Sequence, residues 1–322
     1  MSFWIVGAGR MAKSYSAVLS DLGVAHQAVC RSAASAEAFT EATGAPAFSG
    51  GIDKALADGK APSRAIVAID VDQLAPVTAR LIEAGCRSIL VEKPGGVDRA
   101  EIEALAALAQ AKGADVRLAY NRRFYASILA AEQQIAEDGG AVSMTFEFTE
   151  VSDVVAGLPY APRVKSNWLL ANSTHVIDTA FFLCGGPARF APFTAGAIDW
   201  HPKAARFAGA GQTDRGVMFS YSADWDAPGR WGIEVNTRKS RLVLRPMEKL
   251  QIQRRGSFSI EPVTIDDALD TRFKPGLHRQ TEAFLKGDGG ARLLTLTDHA
   301  ARVRTIYDRM YGNGSVVETS HA

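Results

Sequence analysis

Cysteine is scarce. The 322 residues contain three, Cys30, Cys86 and Cys184, odd in number and widely spaced. That usage supports neither a disulfide framework nor a zinc site and fits a reducing compartment. The six histidines form no H-E-x-x-H pattern, so no metal centre is expected. Long apolar runs are missing too, and none approaches the roughly 20 residues that cross a bilayer. The first apolar strand begins at Phe3, which leaves no room for a leader, so a cytoplasmic location is expected. Neither sign of charge dominates, with 36 Lys and Arg against 35 Asp and Glu. A general binder of nucleic acid or anionic membrane is therefore excluded. Apolar residues, at 47%, are plentiful, and at this length they suit about two domains.

The chain opens with an apolar strand, Phe3 to Val6, followed at once by Gly7-Ala8-Gly9-Arg10-Met11-Ala12 and an amphipathic helix over 12–22. Strand, glycine turn and helix in this order match the dinucleotide fingerprint G-x-G-x-x-G/A. Gly7 makes the tight turn, Gly9 lets a pyrophosphate approach the backbone, and the amides at the helix start, near Arg10 and Met11, face the phosphates. The second strand ends at Cys30 and leads into Arg31-Ser32. An NAD enzyme usually places a carboxylate there for the ribose 2′-hydroxyl. A guanidinium and a hydroxyl suit a 2′-phosphate instead, so NADP is expected, with NAD possible.

Further strands over 64–69, 88–91 and 116–119 alternate with helices over 75–84 and 99–112, the pattern of a doubly wound parallel sheet. The strand over 88–91 runs into Glu92-Lys93-Pro94-Gly95-Gly96. Proline keeps Lys93 extended, and the glycines let the backbone pass close to whatever binds at the strand's carboxyl end, where ligands bind in such sheets. Lys93 can offer a positive charge or a proton to a reacting oxygen there, with Glu92 beside the cofactor.

After Tyr120-Asn121-Arg122-Arg123-Phe124 the apolar period changes from helical to two. Strands are expected over 142–149, 215–225, 231–236, 240–245 and 249–254, giving an α+β second domain with a large, mostly antiparallel sheet. The boundary is placed at 120, giving domains 1–120 and 121–322. Asn172 reads as the N-cap of a helix over 174–183 that carries His175 and Asp178 on one face. Terminal helices are expected over 276–286 and 296–311, with a frayed tail after Gly312.

These motifs together, GAGRMA, Glu92-Lys93-Pro94, Asn121-Arg122-Arg123-Phe124 and the helix around His175, resemble the Gfo/Idh/MocA oxidoreductases across nearly the whole chain. The resemblance implies a Rossmann domain followed by an open-sheet domain often used for oligomerisation, here as a homodimer or homotetramer. It implies NAD(P)-dependent oxidation or reduction of a sugar, cyclitol or related polyol. The family's lysine falls on Lys93 and its histidine on His175. Asn121, Arg123, Lys165, Asn172 and Asp178 are candidates to hold substrate hydroxyls or a carboxylate. One position departs: where the family carries an Asp four residues before the histidine, this chain has Ala171. An altered acid/base set and a non-catalytic NADP-binding regulator are both compatible with that loss. A third reading is a glycosidase that uses nicotinamide transiently.

Overall fold

The computed structural model describes residues 2–312 and 314–319. Its first stretch alternates β1 (Phe3–Val6), α1 (Arg10–Asp21), β2 (Gln27–Cys30), α2 (Ala33–Thr43), β3 (Ala47–Ser49), α3 (Gly51–Asp58), β4 (Arg64–Val67), α4 (Val71–Glu83), β5 (Ser88–Val91), α5 (Arg99–Ala111) and β6 (Asp115–Leu118). There follow α6 (Ala126–Glu137), β7 (Ala141–Glu147), α7 (Ser152–Gly157), α8 (Pro162–Lys165) and α9 (Thr174–Cys184). The strands β8 (Pro187–Ala195), β9 (Arg206–Thr213), β10 (Met218–Asp224), β11 (Gly232–Thr237), β12 (Ser240–Leu244), β13 (Gln251–Arg254) and β14 (Ile260–Pro262) come next. The chain closes with α10 (Ala268–Arg272), α11 (Leu277–Lys286), α12 (Leu296–Arg302) and β15 (Val317–Glu318).

The first six strands form one parallel sheet in the order β3-β2-β1-β4-β5-β6. Every residue of β1 is buried, as are Ile89, Leu90 and Val91 of β5. Helices cover both faces of such a sheet, so its strands read as unbroken apolar runs rather than alternating ones. Strand order reverses between β1 and β4, and in open α/β sheets ligands bind at the carboxyl ends beside such a reversal.

The expected single cut at residue 120 differs from the division into compact units. One unit comprises Met1–Asn121 with Leu269–Ala301, and the other Arg122–Ala268 with Arg302–Ala322. The segment holding α11, expected in the second domain, lies with the first because it packs on α1 and because β6 is an edge. The Leu118 amide donates to Leu294 O at 2.9 Å, and the Arg117 guanidinium donates to Leu293 O at 3.0 Å. Unpaired edge groups need cover, and residues far along the chain supply it.

The second unit holds a nine-stranded sheet, β14-β13-β12-β11-β7-β10-β9-β8-β15. All its pairs are antiparallel except β7 with β10. One face carries Phe146, Phe219 and Tyr221, against which α9 packs through Phe181, edge-on to Phe146 and to Phe219. The register places Ser143, Thr145, Ser220, Ser222, Ala208 and Ala210 on the opposite face, with Met218 and Phe193. Strand β9 was not evident in the sequence because Gly209 and Gly211 depress strand propensity. Both are required by close approach: a Cβ at Gly209 would meet the Tyr221 ring at 2.5 Å, and one at Gly211 would strike the Arg189 carbonyl. The tail also departs from expectation, since Val317 and Glu318 pair with β8. Among the described residues no helix is long and apolar enough to cross a membrane.

Candidate active site

In the first unit, Gly7 follows β1 with φ +126°, and a Cβ there would collide with the Ala68 carbonyl of the neighbouring strand's end. Nothing lies within 4 Å of the position a Cβ would take on Gly9. Gly9 precedes α1, whose first turn has no acidic residue and no side-chain cap. The leading amides of α1 are thus left for an anion. Arg10 is exposed there and Met11 half-buried. Arg31 is exposed just past β2. Ser32, in contrast, is occupied as the cap of α2, its hydroxyl accepting from the Ser35 amide at 3.2 Å. These features fit a dinucleotide: a turn only glycine can make, open space over the second glycine, and an uncapped helix start.

At the carboxyl end of β5, two places from β1 in the sheet, stands Glu92-Lys93-Pro94. The phenol of Tyr15, fully buried on α1, donates to Glu92 Oε1 at 2.9 Å. Burial pushes the Glu92 carboxyl up, against the lowering effects of the Lys93 charge and the Tyr15 bond. Burial and the neighbouring Glu92 together push the Tyr15 phenol well above its ordinary value. Lys93 is half-buried at the sheet's ligand edge. Asn121 is buried, and its amide donates to Pro275 O at 3.0 Å, so it ties the end of this unit's first segment to the returning one.

In the second unit, His175 lies in the first turn of α9, 7% exposed, with its ring centroid 6.2 Å from that of Trp231. Asp178, one turn on, is wholly buried. Arg123 grips it with two bonds of 2.6 and 2.7 Å, and Arg302 adds a third at 3.1 Å. Arg123 and Asp178 are therefore engaged with each other, and what this geometry does is fix α9. Lys165 is likewise committed, its ammonium donating to Ala156 O at 2.6 Å.

Asn172 does not cap α9. Residues Leu169–Ser173 form a π-helical turn that runs directly into α9, with Ser173 itself helical. The Asn172 amide instead donates to both carboxylate oxygens of Glu150, at 3.2 and 3.1 Å, and the Ser173 hydroxyl donates to the same carboxylate at 2.6 Å. Glu150, only 6% exposed, also lines a cavity of about 390 Å3 with Arg122, Arg230, Trp231 and Glu248. Ala171 is buried within the π turn, so its register to His175 is not that of an ordinary helical turn.

Residues 1–120 match the model of a family described as an oxidoreductase family with an NAD-binding Rossmann fold. That model is the Gfo/Idh/MocA one, and it spans 120 of the 322 residues. Solved structures cover both units. One is an oxidoreductase from Agrobacterium radiobacter in complex with NAD+, L-tartaric acid and magnesium, 15% identical over 99% of this chain and 98% of that one, TM-score 0.78. Another is levoglucosan dehydrogenase with NADH and L-sorbose, 17% identical over 100% and 99%, TM-score 0.79. A third is UDP-N-acetylglucosamine 3-dehydrogenase from Acidithiobacillus ferrooxidans, 17% identical over 97% and 96%, TM-score 0.71. At these identities the likeness is one of fold alone, and it extends over the whole chain. No curated protein matches the sequence.

Arg122, Glu150, Arg230 and Trp231 line a cavity of the second unit and are candidate site residues that reading the sequence missed. Glu150 was the findable one: like Glu92 and Lys93, it is a charged residue directly after an expected strand. Arg230 and Trp231 lie in a loop whose neighbours only the folded sheet supplies. Among the described residues no group of three His, Cys, Asp or Glu is placed to hold a metal ion.

Proposed function

We propose that the chain is an NAD(P)-dependent oxidoreductase acting on a CH–OH group of a sugar, cyclitol or related polyol, with a preference for NADP. The observation that carries it is the pairing, in one parallel sheet, of the Gly7–Gly9 turn with a lysine at the carboxyl end of β5. When bound, the nicotinamide gives or takes the hydride. Lys93 holds positive charge for the substrate oxygen, and His175 exchanges its proton, an imidazole being suited to that near neutral pH. The backbone of Gly9 and the start of α1 bind the pyrophosphate. Glu150 and Asn172 form a bonded pair able to order substrate hydroxyls.

Sugar dehydrogenases of the same fold support the substrate class, and the absence of an acid after β2 supports NADP. Arg31 is exposed there and free to meet a 2′-phosphate. The chain acts in the cytoplasm as a homodimer or homotetramer formed through the open face of the nine-stranded sheet. The test is cofactor absorbance in the presence of a panel of polyols and keto-sugars. Turnover supports the reading, and tight cofactor binding without turnover on any of them would turn it toward a regulator. Titration should give tighter binding of NADP+ than of NAD+, reversed in Arg31→Asp. Tighter NAD+ binding by the parent chain refutes the preference.

A further inference from the structure

The cavity in the second unit is lined by two guanidinium groups, Arg122 and Arg230. Arg122 is half-buried. Its guanidinium lies 4.9 Å from the centroid of the Trp231 ring and 5.8 Å from that of Tyr125. Among the described residues neither the Arg122 nor the Arg230 side chain has a carboxylate partner, although arginines elsewhere in this unit are paired. Neither of the cavity's two acids forms an ion pair with them, so both guanidinium forks remain open to a ligand. Glu150 keeps its negative charge, with its oxygens held by the Asn172 amide and the Ser173 hydroxyl, and Glu248, like Arg230, is exposed. A guanidinium held over an aromatic face beside a cavity keeps its charge in a less polar setting, where a second anion is bound more strongly than in water. Trp231 is shared: its ring meets Arg122 and also His175. A ligand on the Trp231 side of the cavity is therefore within one side chain of the proposed acid/base residue.

We propose that this cavity is a subsite for the carboxylate end of a polyhydroxylated acid, so that the substrate is a sugar acid rather than a neutral sugar. Arg122 and Arg230 take the carboxylate, for which the planar guanidinium fork is the matching donor. Trp231 packs against the C–H face of the carbon chain. Glu150, already fixed by two neighbours, accepts from a hydroxyl. This assignment rests on the oxidoreductase reading above and narrows its substrate class.

The test uses matched pairs, D-glucuronate with D-glucose and D-galacturonate with D-galactose, on the full chain loaded with NADP+. Binding is followed by titration calorimetry and turnover by cofactor absorbance. The acid should bind about tenfold or more tightly than its neutral partner, an advantage that shrinks with added salt. In Arg230→Glu, an exposed position that should leave folding intact, the acid's advantage should vanish. Arg122→Met should do the same, with a melting curve as the control for folding. Equal binding of acid and neutral sugar, binding of neither, or an advantage that survives in Arg230→Glu would overturn the proposal. Neutral polyols turned over with no preference for acids would remove the subsite and leave the oxidoreductase reading standing. Acid binding that depends on Arg230 without any cofactor turnover would keep the subsite and remove that reading.

Discussion

At the scale of single residues, the site depends on a few groups whose environment differs sharply from water. Lys93 is fixed at the carboxyl end of β5, apart from the pyrophosphate turn. Lys93→Met should lower kcat by about 3 kcal/mol of transition-state energy or more, while cofactor affinity changes little. A variant with near-normal kcat takes Lys93 out of the mechanism. Glu92 gives a pH test. Burial raises its carboxyl above the ordinary value of 4.5, in spite of Lys93 and Tyr15. An acid raised in the folded state holds its proton more tightly there than in the unfolded chain. Its contribution is complete below 4.5 and is lost as pH rises through the folded value. Glu92→Gln, which keeps a partner for Tyr15, escapes that loss. Its stability relative to the parent should therefore increase as pH rises from 4.5, read as denaturant midpoints across the range. A difference independent of pH would mean that Glu92 is not raised.

At the scale of elements, α9 is the part of the second unit that carries His175. Its inner face packs on the sheet through Phe181, and its charged anchor is the Arg123–Asp178–Arg302 cluster. The apolar contacts set where the helix lies, whereas the buried ion cluster sets its rotation, since two bonds from Arg123 fix the Asp178 carboxylate in plane. Asp178→Asn leaves Arg123 charged in the core without a full counter-charge. Removing one member of such a pair costs about 3–5 kcal/mol, so the denaturant midpoint should fall steeply. Near-parental stability together with a displaced pH–rate profile would instead return Asp178 to the chemistry. The π turn before α9 matters in the same way. It swings Asn172 and Ser173 onto Glu150, an arrangement that an Asn cap on a regular helix would not produce.

At the scale of the whole molecule, the open face of the nine-stranded sheet carries Ser, Thr and Ala on β7, β9 and β10, and polar residues such as Glu234, Asn236 and Arg241 on β11 and β12. Met218 and Phe193 on that face are each 55% exposed. Large apolar residues exposed among small side chains suit self-association. The parent chain should sediment as a dimer or tetramer, and Met218→Arg should shift it toward monomer in analytical ultracentrifugation. A monomeric parent chain would leave that face without a partner copy. An associated Met218→Arg with unchanged affinity would place the contact elsewhere.

Local rules made the first unit readable in advance. The strand of β5 ends at Val91 in both the sequence pattern and the structure, because proline and glycine act on the residues beside them. The Gly7 turn, the α5 cap by Asp98 and the alternation of β7 are legible for the same reason. Contacts distant in sequence were decided only by tertiary structure. Residues 269–301 join the first unit because an edge strand needed cover, and no nearby sequence states that need. Arg123 and Asp178, 55 positions apart, read as ligand-binding polar residues until burial showed each to be the other's counter-charge. Glu150 gained its partners only when the π turn brought Asn172 and Ser173 to its carboxylate, 22 and 23 positions along the chain. Periodicity reports which face of an element is apolar. Which polar groups end up paired in the interior depends on the whole packing, because a buried charge is stable only where a distant residue can reach it.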